Sequence, residues 1–444
     1  MSSFAPLRAI LVGVLAAGFV ACAASPALAG STSILSTTID PLLKDTAVTD
    51  AQLATAGVVD DGGTVLNSSG NVLLVDDDNK QCPQAQYHSI NEAILAAPAG
   101  ATIRVCPGTY NESRVNPQTL LDEPGVFVVK PLLIQAVRLY GSPCGCHVST
   151  YHDPTQEAIT NSWAVEADNA TVDGFTVVAD LQQAIEVDGV NDRVRHNVID
   201  GQDRAFGVNF GLTAHGATID HNCLRRVADG IDDVSLGGNK VQSNQIVLSK
   251  TAAGIGINLN TFAFPPLVAT SSDVSHNTIV GAGIGDFGIF VGSSNSATVS
   301  YNSVTGSTDG IVLDGDGTGS LSVTYNVLRC GAENGITTGG AAITKAVISN
   351  NSVAGYGING IYIGPFSSFN TVSGNRSTSN GSAGIDAELG SLENSITNNT
   401  MTANGTWDCQ DDSAGTHNGP AMTANQWTGD FGFTENRPGL CHHS

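Results

Sequence analysis

The chain has 444 residues, and 18 Lys and Arg against 41 Asp and Glu give a formal net charge of −23 at pH 7. A chain this acidic repels polyanions, so the composition argues against nucleic acid as a partner. Only 13% of the residues are charged and 51 are Gly. That composition is atypical of an ordinary globular domain and is typical of a chain with many tight corners.

The N-terminus has the parts of a secretory signal over residues 1–29. Arg8 precedes an apolar segment, and Ala27-Leu28-Ala29 forms a small-residue cleavage site. The sequence therefore predicts a secreted or cell-surface protein. An alternative interpretation is a lipoprotein signal with lipid attached at Cys22. No later segment is long and apolar enough to span a bilayer.

A six-residue pattern of apolar, polar, polar, Asn, polar, apolar recurs along the chain, with Val299-Ser300-Tyr301-Asn302-Ser303-Val304 as one copy. Its Asn recurs every 24 or 25 residues over much of the chain, and such a regular period predicts a solenoid. The key Asn residues are Asn197, Asn222, Asn277, Asn302, Asn326 and Asn399, with weaker copies at Asn244, Asn351 and Asn375. A Gly followed by an apolar residue comes 8 to 11 residues after each Asn. The apolar residues are mostly Val and Ile with alternating spacing, which predicts a parallel β-helix rather than a leucine-rich repeat.

The first coils carry a second signal. Ser89-Ile90-Asn91-Glu92 is a capping box that predicts a short helix over the open end of the first coil. With Thr102-Ile103-Arg104-Val105 and Pro107-Gly108-Thr109-Tyr110-Asn111-Glu112, this stretch resembles the start of right-handed parallel β-helix proteins of the pectin lyase-like superfamily. That superfamily includes lyases, hydrolases, esterases, epimerases and NosD-like accessory proteins, so the resemblance implies a fold and leaves the activity open.

The predicted fold class is therefore all-β, a single-stranded right-handed parallel β-helix with a short N-terminal capping helix and a disulfide-stapled C-terminal cap. The predicted divisions are a signal peptide at 1–29, a linker or loosely docked arm at 30–72, an N-terminal cap and first coils at 73–164, β-helix repeats at 165–401 and a C-terminal cap at 402–444.

Eight of the nine Cys remain after removal of the signal, an even number that suits an oxidising compartment. Two disulfides are predicted to staple the ends, Cys82 with Cys106 and Cys409 with Cys441. Cys223 and Cys330 lie about four coils apart, ~19 Å at strand spacing, and are predicted to be small core residues.

Two Cys and two His occur close together in one loop, at Cys144, Cys146, His147 and His152. This group could bind copper or zinc, and the alternative is a structural loop with a disulfide. Asp76, Asp77 and Asp78 could hold Ca²⁺, but calcium ligands normally alternate along the chain, so a solvated turn is the favoured interpretation. The sequence requires no cofactor, and Ca²⁺ is the ion that its acidic residues could use.

Candidate catalytic residues follow from the Gly-apolar pattern. The residue after the apolar one should face solvent, which predicts an outward row of Glu186, Asn209, Asp232, Gly256, Phe290, Val312, Thr337, Tyr362 and Asp386. Asp232 and Glu186 lie two coils apart, ~9.6 Å at strand spacing, near the upper separation of an inverting pair of glycosidase carboxylates. Four further acids lie close in sequence and are catalytic candidates or tuning groups: Asp229, Asp203, Asp188 and Asp233. The alternative is a solvated acidic face.

A second row lies one residue before each key Asn and contains several rings. It reads His196, His221, Ser243, His276, Tyr301, Tyr325 and Asn350. Tyr301, Tyr325 and His276 are predicted to form a platform that binds sugar rings. The alternative is a side-chain ladder that stiffens the corner.

The sequence therefore predicts a monomeric, exported protein that binds or processes a polysaccharide or cell-surface glycan. If it is an enzyme, hydrolysis is favoured over β-elimination, because elimination needs a basic residue and the nearest ones are Arg193, Arg195 and Arg204. Two alternatives remain, a non-catalytic surface, adhesive or structural protein and a NosD-like metal-cluster accessory protein.

Overall fold

The computed structural model describes residues 72–115, 122–137, 152–251, 253–260, 271–283, 285–292, 296–314, 320–339 and 343–443. Over these residues the chain winds as a parallel β-solenoid with three strands in a typical coil, which confirms the predicted fold class. The predicted signal peptide at 1–29, the lipidation alternative at Cys22 and nearly all of the predicted arm at 30–72 lie outside the described residues.

Equivalent strands of successive coils form three parallel sheets, named A, B and C in the order in which one coil passes through them. In the described residues sheet A contains 14 strands: β1 Val72–Val75, β2 Thr102–Val105, β7 Leu133–Ala136, β10 Thr171–Asp173, β13 Arg193–Arg195, β16 Thr218–Asp220, β19 Lys240–Gln242, β22 Ser272–Ser275, β25 Ala297–Ser300, β28 Leu321–Thr324, β31 Val347–Ser349, β34 Thr371–Ser373, β37 Ser395–Thr397 and β40 Gln426–Thr428.

Sheets B and C contain 12 strands each in the same described ranges. Sheet B consists of β3 Gly108–Tyr110, β8 Ala158–Thr160, β11 Thr176–Val178, β14 Val198–Asp200, β17 Cys223–Val227, β20 Gln245–Leu248, β23 Thr278–Val280, β26 Ser303–Thr305, β29 Val327–Arg329, β32 Ser352–Ala354, β35 Arg376–Thr378 and β38 Thr400–Thr402. Sheet C consists of β6 Val126–Val128, β9 Trp163–Val165, β12 Gln183–Val187, β15 Phe206–Phe210, β18 Ile231–Asp233, β21 Ile255–Leu259, β24 Phe287–Val291, β27 Asp309–Leu313, β30 Ile336–Thr338, β33 Ile361–Ile363, β36 Ala383–Ala387 and β39 Trp407–Asp411. An antiparallel pair, β4 Ser113–Val115 with β5 Asp122–Pro124, projects beside the first coils.

The core is a stack of in-register apolar side chains inside the three sheets. In the coil of β25, β26 and β27, Val299, Val304 and Ile311 are buried. Val299 pairs in register with Val274 and Val323 of the adjacent coils, so each side chain packs on its counterparts one strand spacing away. Burying such a side chain contributes about 1.5–3 kcal/mol. The alternation of Val and Ile with polar residues therefore follows from one face of every strand being inside.

The repeated Asn forms a continuous buried hydrogen-bond ladder at the corner between sheets A and B. Asn302 Nδ2 donates to Asn326 Oδ1 at 3.0 Å and to the Val274 carbonyl at 2.9 Å. The backbone N–H of Asn302 also donates to Asn326 Oδ1. The same contacts run from Asn197 to Asn399, where Asp430 accepts the last pair. This arrangement confirms that the Asn pairs backbone groups that the corner exposes.

The Gly of the second pattern is required where sheet B turns into sheet C. A Cβ on Gly310 would lie 2.4 Å from the carbonyl oxygen of Gly335 in the next coil and 2.6 Å from Tyr356 Oη. Neither distance is compatible with a side chain, so the adjacent coil itself selects Gly at this position.

The predicted N-terminal helix is present as α1, Ile90–Ala96. Ser89 Oγ accepts a hydrogen bond from the Glu92 backbone N–H, as the capping box predicts. The carboxylate of Glu112, from a neighbouring turn, accepts hydrogen bonds from Ser89 Oγ and from the first backbone N–H groups of α1. In the described part of the chain no helix is long and apolar enough to cross a membrane.

Both predicted end disulfides are present, Cys82–Cys106 and Cys409–Cys441. Cys223 and Cys330 are also disulfide-bonded, so the prediction that they are small unbonded core residues is wrong. The sequence argument excluded only a bond between these two, and it did not test their bonding to other cysteines. At the C-terminal end a 3-10 helix, Gly419–Ala421, precedes β40, and Trp427 Nε1 donates to Asp411 Oδ2 at 2.7 Å.

The two end disulfides, Cys82–Cys106 and Cys409–Cys441, are expected to stabilise the ends rather than the middle of the solenoid, because the stability of a repeat protein is roughly a sum of neighbour contributions. In a Cys409→Ser/Cys441→Ser variant, we expect faster amide hydrogen exchange in β39 and β40, with β23 to β29 unchanged. Exchange measured by mass spectrometry checks this. The matched Cys82→Ser/Cys106→Ser variant should accelerate exchange at β1 and β2 instead. Uniform acceleration in both variants would contradict the prediction.

Candidate functional site

The predicted outward row exists on sheet C, and strand pairing fixes its members. In register it reads Phe127, Ala164, Glu186, Asn209, Asp232, Asn258, Phe290, Val312, Thr337, Tyr362, Asp386 and Gln410. The predicted member Gly256 is wrong, because Asn258 occupies that position. The Gly-apolar pattern occurs twice in the segment Gly254-Ile255-Gly256-Ile257-Asn258. The second copy is the one that aligns with the same pattern in the adjacent strands. A Cβ on Gly256 would lie 2.5 Å from the Gly288 carbonyl oxygen, which places Gly256 at the close approach between coils.

Asp232 sits in the middle of the N-terminal half of this row. Asn258 Nδ2 of the next coil donates to its Oδ1 at 2.7 Å. Burial, reinforced by the carboxylates of Asp229 and Asp233, raises the pKa of Asp232 to about 6 despite that hydrogen bond. Near neutral pH a carboxyl of this kind exchanges its proton readily, which is the property of a general acid.

Glu186 lies two coils before Asp232, with Asn209 between them. At strand spacing the two acids are separated by ~9.6 Å along the row. Burial raises the pKa of Glu186, and the carboxylates of Asp188 and Glu166 add to this effect. Asp188 follows the end of β12, and its own pKa is raised by burial and by Glu166. The structure therefore brings Glu186 and Asp188 together, with Asp232 two coils further along the same face.

Asp229 and Asp233 flank Asp232 in sequence but take different positions. Asp229 Oδ1 accepts the backbone N–H of Ile255 at 2.6 Å, so it holds the next coil in place. Asp233 lies inside the solenoid with no exposed surface, where it accepts hydrogen bonds from Ser235 Oγ and Asn239 Nδ2. From there Asp233 cannot touch a ligand on the outer face.

Asp203 lies at the turn between sheets B and C and is separated from the row. It pairs with Arg226 Nη1 at 3.7 Å and accepts from Ser249 Oγ at 3.0 Å. Arg226 also binds the buried Asp200 at 2.6 Å. Asp203 thus belongs to an ion cluster, and its carboxylate is committed to that cluster.

The same cluster includes His152, the one member of the predicted Cys and His group within the described residues. Cys144, Cys146 and His147 lie outside them. His152 Nε2 lies 2.9 Å from Arg225 Nη2 and 3.7 Å from Asp200 Oδ2. Burial opposes ionisation of Asp200, but hydrogen bonds from His152 and Arg226 outweigh it and hold the pKa of Asp200 well below its usual range. Sequence reasoning missed this cluster because its members come from three separate coils and share no motif.

The ring row lies at the corner between sheets A and B, so the structure does not bring it together with the acids of sheet C. Tyr301 and Tyr325 are 53% and 49% exposed. Their ring centroids are 5.0 Å apart with planes inclined by 3°, and His276 stacks on Tyr301 at 5.1 Å and 12°. Stacking directs the ring faces at one another and the ring edges at solvent. A sugar ring packs on the face of an aromatic ring, so the middle of this stack is a poor platform.

Several buried acids outside the N-terminal half of the row also have raised pKa values. Burial, with help from Glu388 and Asp412, raises the pKa of Asp386 to about 7. Burial likewise raises the pKa of Asp192 to about 7 and those of Asp309 and Asp430 to about 6. These carboxyls hold protons more tightly in the folded chain than in the unfolded chain.

The folded protein is therefore expected to be more stable at pH 5 than at pH 8. A folded-state pKa above the unfolded value of about 3.9 contributes stability that is present below pH 4 and is lost as the pH rises through about 6 to 7. Thermal melts at constant ionic strength from pH 5 to 8 should show a falling Tm. Asp386→Asn should flatten the curve, and a Tm that rises over this range would contradict the pKa assignments.

Comparison with known proteins identifies a family over part of the chain. Residues 267–428 match the family model described as "Periplasmic copper-binding protein (NosD)". A search of the curated proteins finds no match. Among solved structures, the catalytic unit of the GH87 α-1,3-glucanase from Streptomyces thermodiastaticus strain HF3-3 is 14% identical, with 78% of this chain and 66% of that chain covered and a TM-score of 0.51.

Two further solved structures have lower TM-scores. The DFA-IIIase from Arthrobacter chlorophenolicus A6 is 13% identical, with 81% of this chain and 99% of that chain covered and a TM-score of 0.49. The Dettilon tailspike protein is 16% identical, with coverage of 62% of each chain and a TM-score of 0.40. The chain thus spans less than two thirds of the length of the tailspike and the glucanase. At these identities the likeness concerns the fold alone.

The described residues contain few groups that could hold a copper ion. In the described ranges, the groups of three His, Cys, Asp or Glu side chains with converging ligand atoms are Asp76 with Cys82 and Cys106, and Asp76 with Asp77 and Asp78. The cysteines form a disulfide, and the Asp76 and Asp77 oxygens accept backbone N–H groups. The described residues therefore do not fit copper, which prefers imidazole, thiolate or thioether ligands.

The coil architecture and the family match agree over the C-terminal coils, where the stacked strands and the Asn ladder are most regular. The chain is a parallel β-helix protein, and its residues 267–428 match the NosD family model.

Proposed function

We propose that this protein binds a polysaccharide along the outward row of sheet C and hydrolyses it between Glu186 and Asp232. The observation that carries the proposal is the position of these two acids on one strand row, two coils apart, with burial raising the pKa of Asp232 to about 6. Two carboxyl groups, one that gives a proton and one that takes a proton, separated enough to admit a water, are the requirement of an inverting glycosidase.

The proposed reaction assigns one acid role and one base role to the two carboxyls. Asp232 in its protonated form gives its proton to the glycosidic oxygen as the bond from that oxygen to the sugar carbon breaks. Glu186 in its ionised form takes a proton from a water that attacks the same carbon from the opposite face. Each turnover adds one water across the bond and leaves the two carboxyls with their protons exchanged, and solvent restores them.

Other members of the row suit a sugar chain. Asn209 lies between the two acids, and Asn258 follows Asp232, so amides that can bind hydroxyl groups flank the reacting bond. Phe290 lies two coils beyond Asp232 and offers an apolar ring, which stacks with Phe287 at 5.7 Å. The run of acids and the net charge of −23 disfavour an anionic polymer and support a neutral one.

Elimination finds less support from the placement of the basic residues. Arg193 pairs with Asp220 at 2.9 Å and Arg195 with Asp173 at 3.0 Å, both on sheet A. Each guanidinium is held by a carboxylate on a different face from Glu186. Neither is placed to accept a proton beside the acid row.

We also propose that the chain is exported. The disulfides and the family match to a periplasmic protein support an extracytoplasmic location, and the predicted signal over residues 1–29 supplies the means. Periplasmic, secreted and surface-bound forms are separated by fractionating the cells that make the protein.

The test is a screen of the purified mature protein against neutral and acidic glycans, with and without Ca²⁺. Reducing-end release reports hydrolysis, and absorbance of an unsaturated product reports elimination. The proposal expects reducing ends from a neutral glycan, no ultraviolet product and no Ca²⁺ requirement. Binding without cleavage of any glycan would favour a non-catalytic surface protein. Metal dependence, together with copper retained on purification, would favour the accessory role of the NosD type.

A further inference from the structure

The ring row at the corner between sheets A and B lacks a ring at one position, which is occupied by Ser243. Ser243 has a backbone φ of 57°, and the ring-bearing members of the row have φ values from 54° to 59°: His196, His221, His276, Tyr301 and Tyr325. The residues before Ser243, His221 and His276 pair in register on sheet A. Ser243 therefore occupies the equivalent position between His221 and His276, one coil from each.

The missing ring leaves a slot with two aromatic walls. Neighbouring rings elsewhere in the row have centroids 5.0 to 5.4 Å apart, close to one coil rise. His221 and His276 are two coil rises apart, ~9.6 Å. Surface depressions lie on both sides of Ser243, one lined by His221 and Gln245 and the other by Gln242, Asp273 and His276.

Among the described residues, the slot exposes ring faces, whereas Tyr301 inside the continuous stack has both faces covered. Tyr301 has His276 stacked on one side and Tyr325 on the other. His276 turns its other face towards Ser243, and His221 turns towards Ser243 the face opposite His196. Ring faces are the surfaces on which C–H groups of a sugar pack.

We propose that this slot binds a single neutral pyranose ring between His221 and His276. A ring at its centre would lie ~4.8 Å from each wall, whereas flat aromatic rings reach optimal contact at about 3.5–4.0 Å. A puckered pyranose, with hydrogens projecting from both faces, fills the wider space that a flat ring would leave. The inference rests on the proposal that the protein engages glycans, but it uses none of the acids of sheet C.

Polar groups at the side of the slot suit hydroxyl groups. Gln242 Nε2 donates to Asp273 Oδ2 at 2.7 Å, and Ser275 and Ser300 line the same depression. The Asp273 carboxylate accepts hydroxyl hydrogens and repels a uronic acid, so the slot favours an uncharged sugar. It would act as an anchoring site at the corner, away from the reacting bond.

The test uses a variant that fills the slot. Ser243→Tyr places a ring where the row lacks one, and Tyr301 already adopts the same left-handed backbone with φ 56°. Ser243→Ala is the matched control that keeps the slot open. Both are made in an Asp232→Asn background, so that no probe is turned over at sheet C. The probes are methyl β-D-glucopyranoside, methyl β-D-galactopyranoside, methyl β-D-glucuronide and benzyl alcohol.

Saturation-transfer NMR with irradiation of the aromatic protons measures contact between probe and rings. We expect transfer to the ring protons of a neutral glycoside, a loss of at least fivefold in Ser243→Tyr and a change of less than twofold in Ser243→Ala. Equal transfer in both variants, no transfer to either neutral glycoside, or stronger slot-dependent transfer to benzyl alcohol would overturn the inference. If the wild type hydrolyses no glycan but Ser243→Tyr loses the signal, the slot stands and the hydrolase proposal fails. If the wild type hydrolyses a glycan but Ser243→Tyr keeps the transfer signal, the slot proposal fails and the hydrolase proposal stands.

Discussion

Substitution of Asp232 by asparagine is expected to lower the rate of glycan hydrolysis by at least about 100-fold, the usual contribution of a general acid. Asparagine keeps the shape of the side chain and can still bond with Asn258, but it has no proton to give to the leaving oxygen. The loss should appear in kcat, with KM for the same glycan little changed, because the glycan still lies on the row. Reducing-end release measured against the wild type checks the prediction.

The control for Asp232→Asn is Asp386→Asn, on the same outward row six coils further on. Asp386 is also buried, and its pKa is raised to about 7, so the two substitutions are alike in chemistry and burial. Only the first removes an acid beside Glu186. Equal activity in both variants would mean that Asp232 is not the general acid and that the reaction takes place elsewhere. Equal loss in both would indicate that the acidic row acts through its overall charge.

Substitution of Asn302 by alanine is expected to destabilise the fold by about 2 kcal/mol or more. The change removes the acceptor of the Asn277 backbone N–H and of Asn277 Nδ2 and removes the donor to the Val274 carbonyl. A buried polar group left unpaired costs about 1–3 kcal/mol. Urea unfolding followed by circular dichroism measures the change, and hydrogen exchange should show it centred on β22, β25 and β28.

Tyr301→Ala is the companion to Asn302→Ala, one residue earlier in the same corner. Tyr301 is half exposed and makes ring contacts on both sides, so its loss removes stacking and leaves the buried ladder intact. An aromatic pair contributes about 0.5–1.5 kcal/mol beyond area burial. Tyr301→Ala should therefore cost less than Asn302→Ala. A reversed ranking would mean that the ring stack, and not the Asn ladder, holds the corner.

The repeated Asn and the repeated Gly-apolar pair were sufficient to predict the solenoid. Each of them meets a local structural requirement that occurs once in every coil. The Asn forms hydrogen bonds with backbone groups at the corner, and the Gly leaves room for the backbone of the adjacent coil. The predicted register was wrong at one point, where the segment Gly254-Ile255-Gly256-Ile257 contains the same pattern twice. Only the strand register, which pairs Ile231 with Ile257 and Asp232 with Asn258, decided between them.

The sequence alone therefore determined the fold, the two end disulfides and the membership of most of the outward row on sheet C, since these depend on period and alternation. The tertiary structure decided which of the candidate acids lie on the outward row and which are buried or held in ion pairs. It placed Glu186 and Asp232 on one outward row, buried Asp233 in the core and paired Asp203 with Arg226, which also binds Asp200. It also separated the ring row from the acids and left the slot at Ser243. Such contacts join residues from different coils, and their partners depend on how loops of unequal length bring those coils into register.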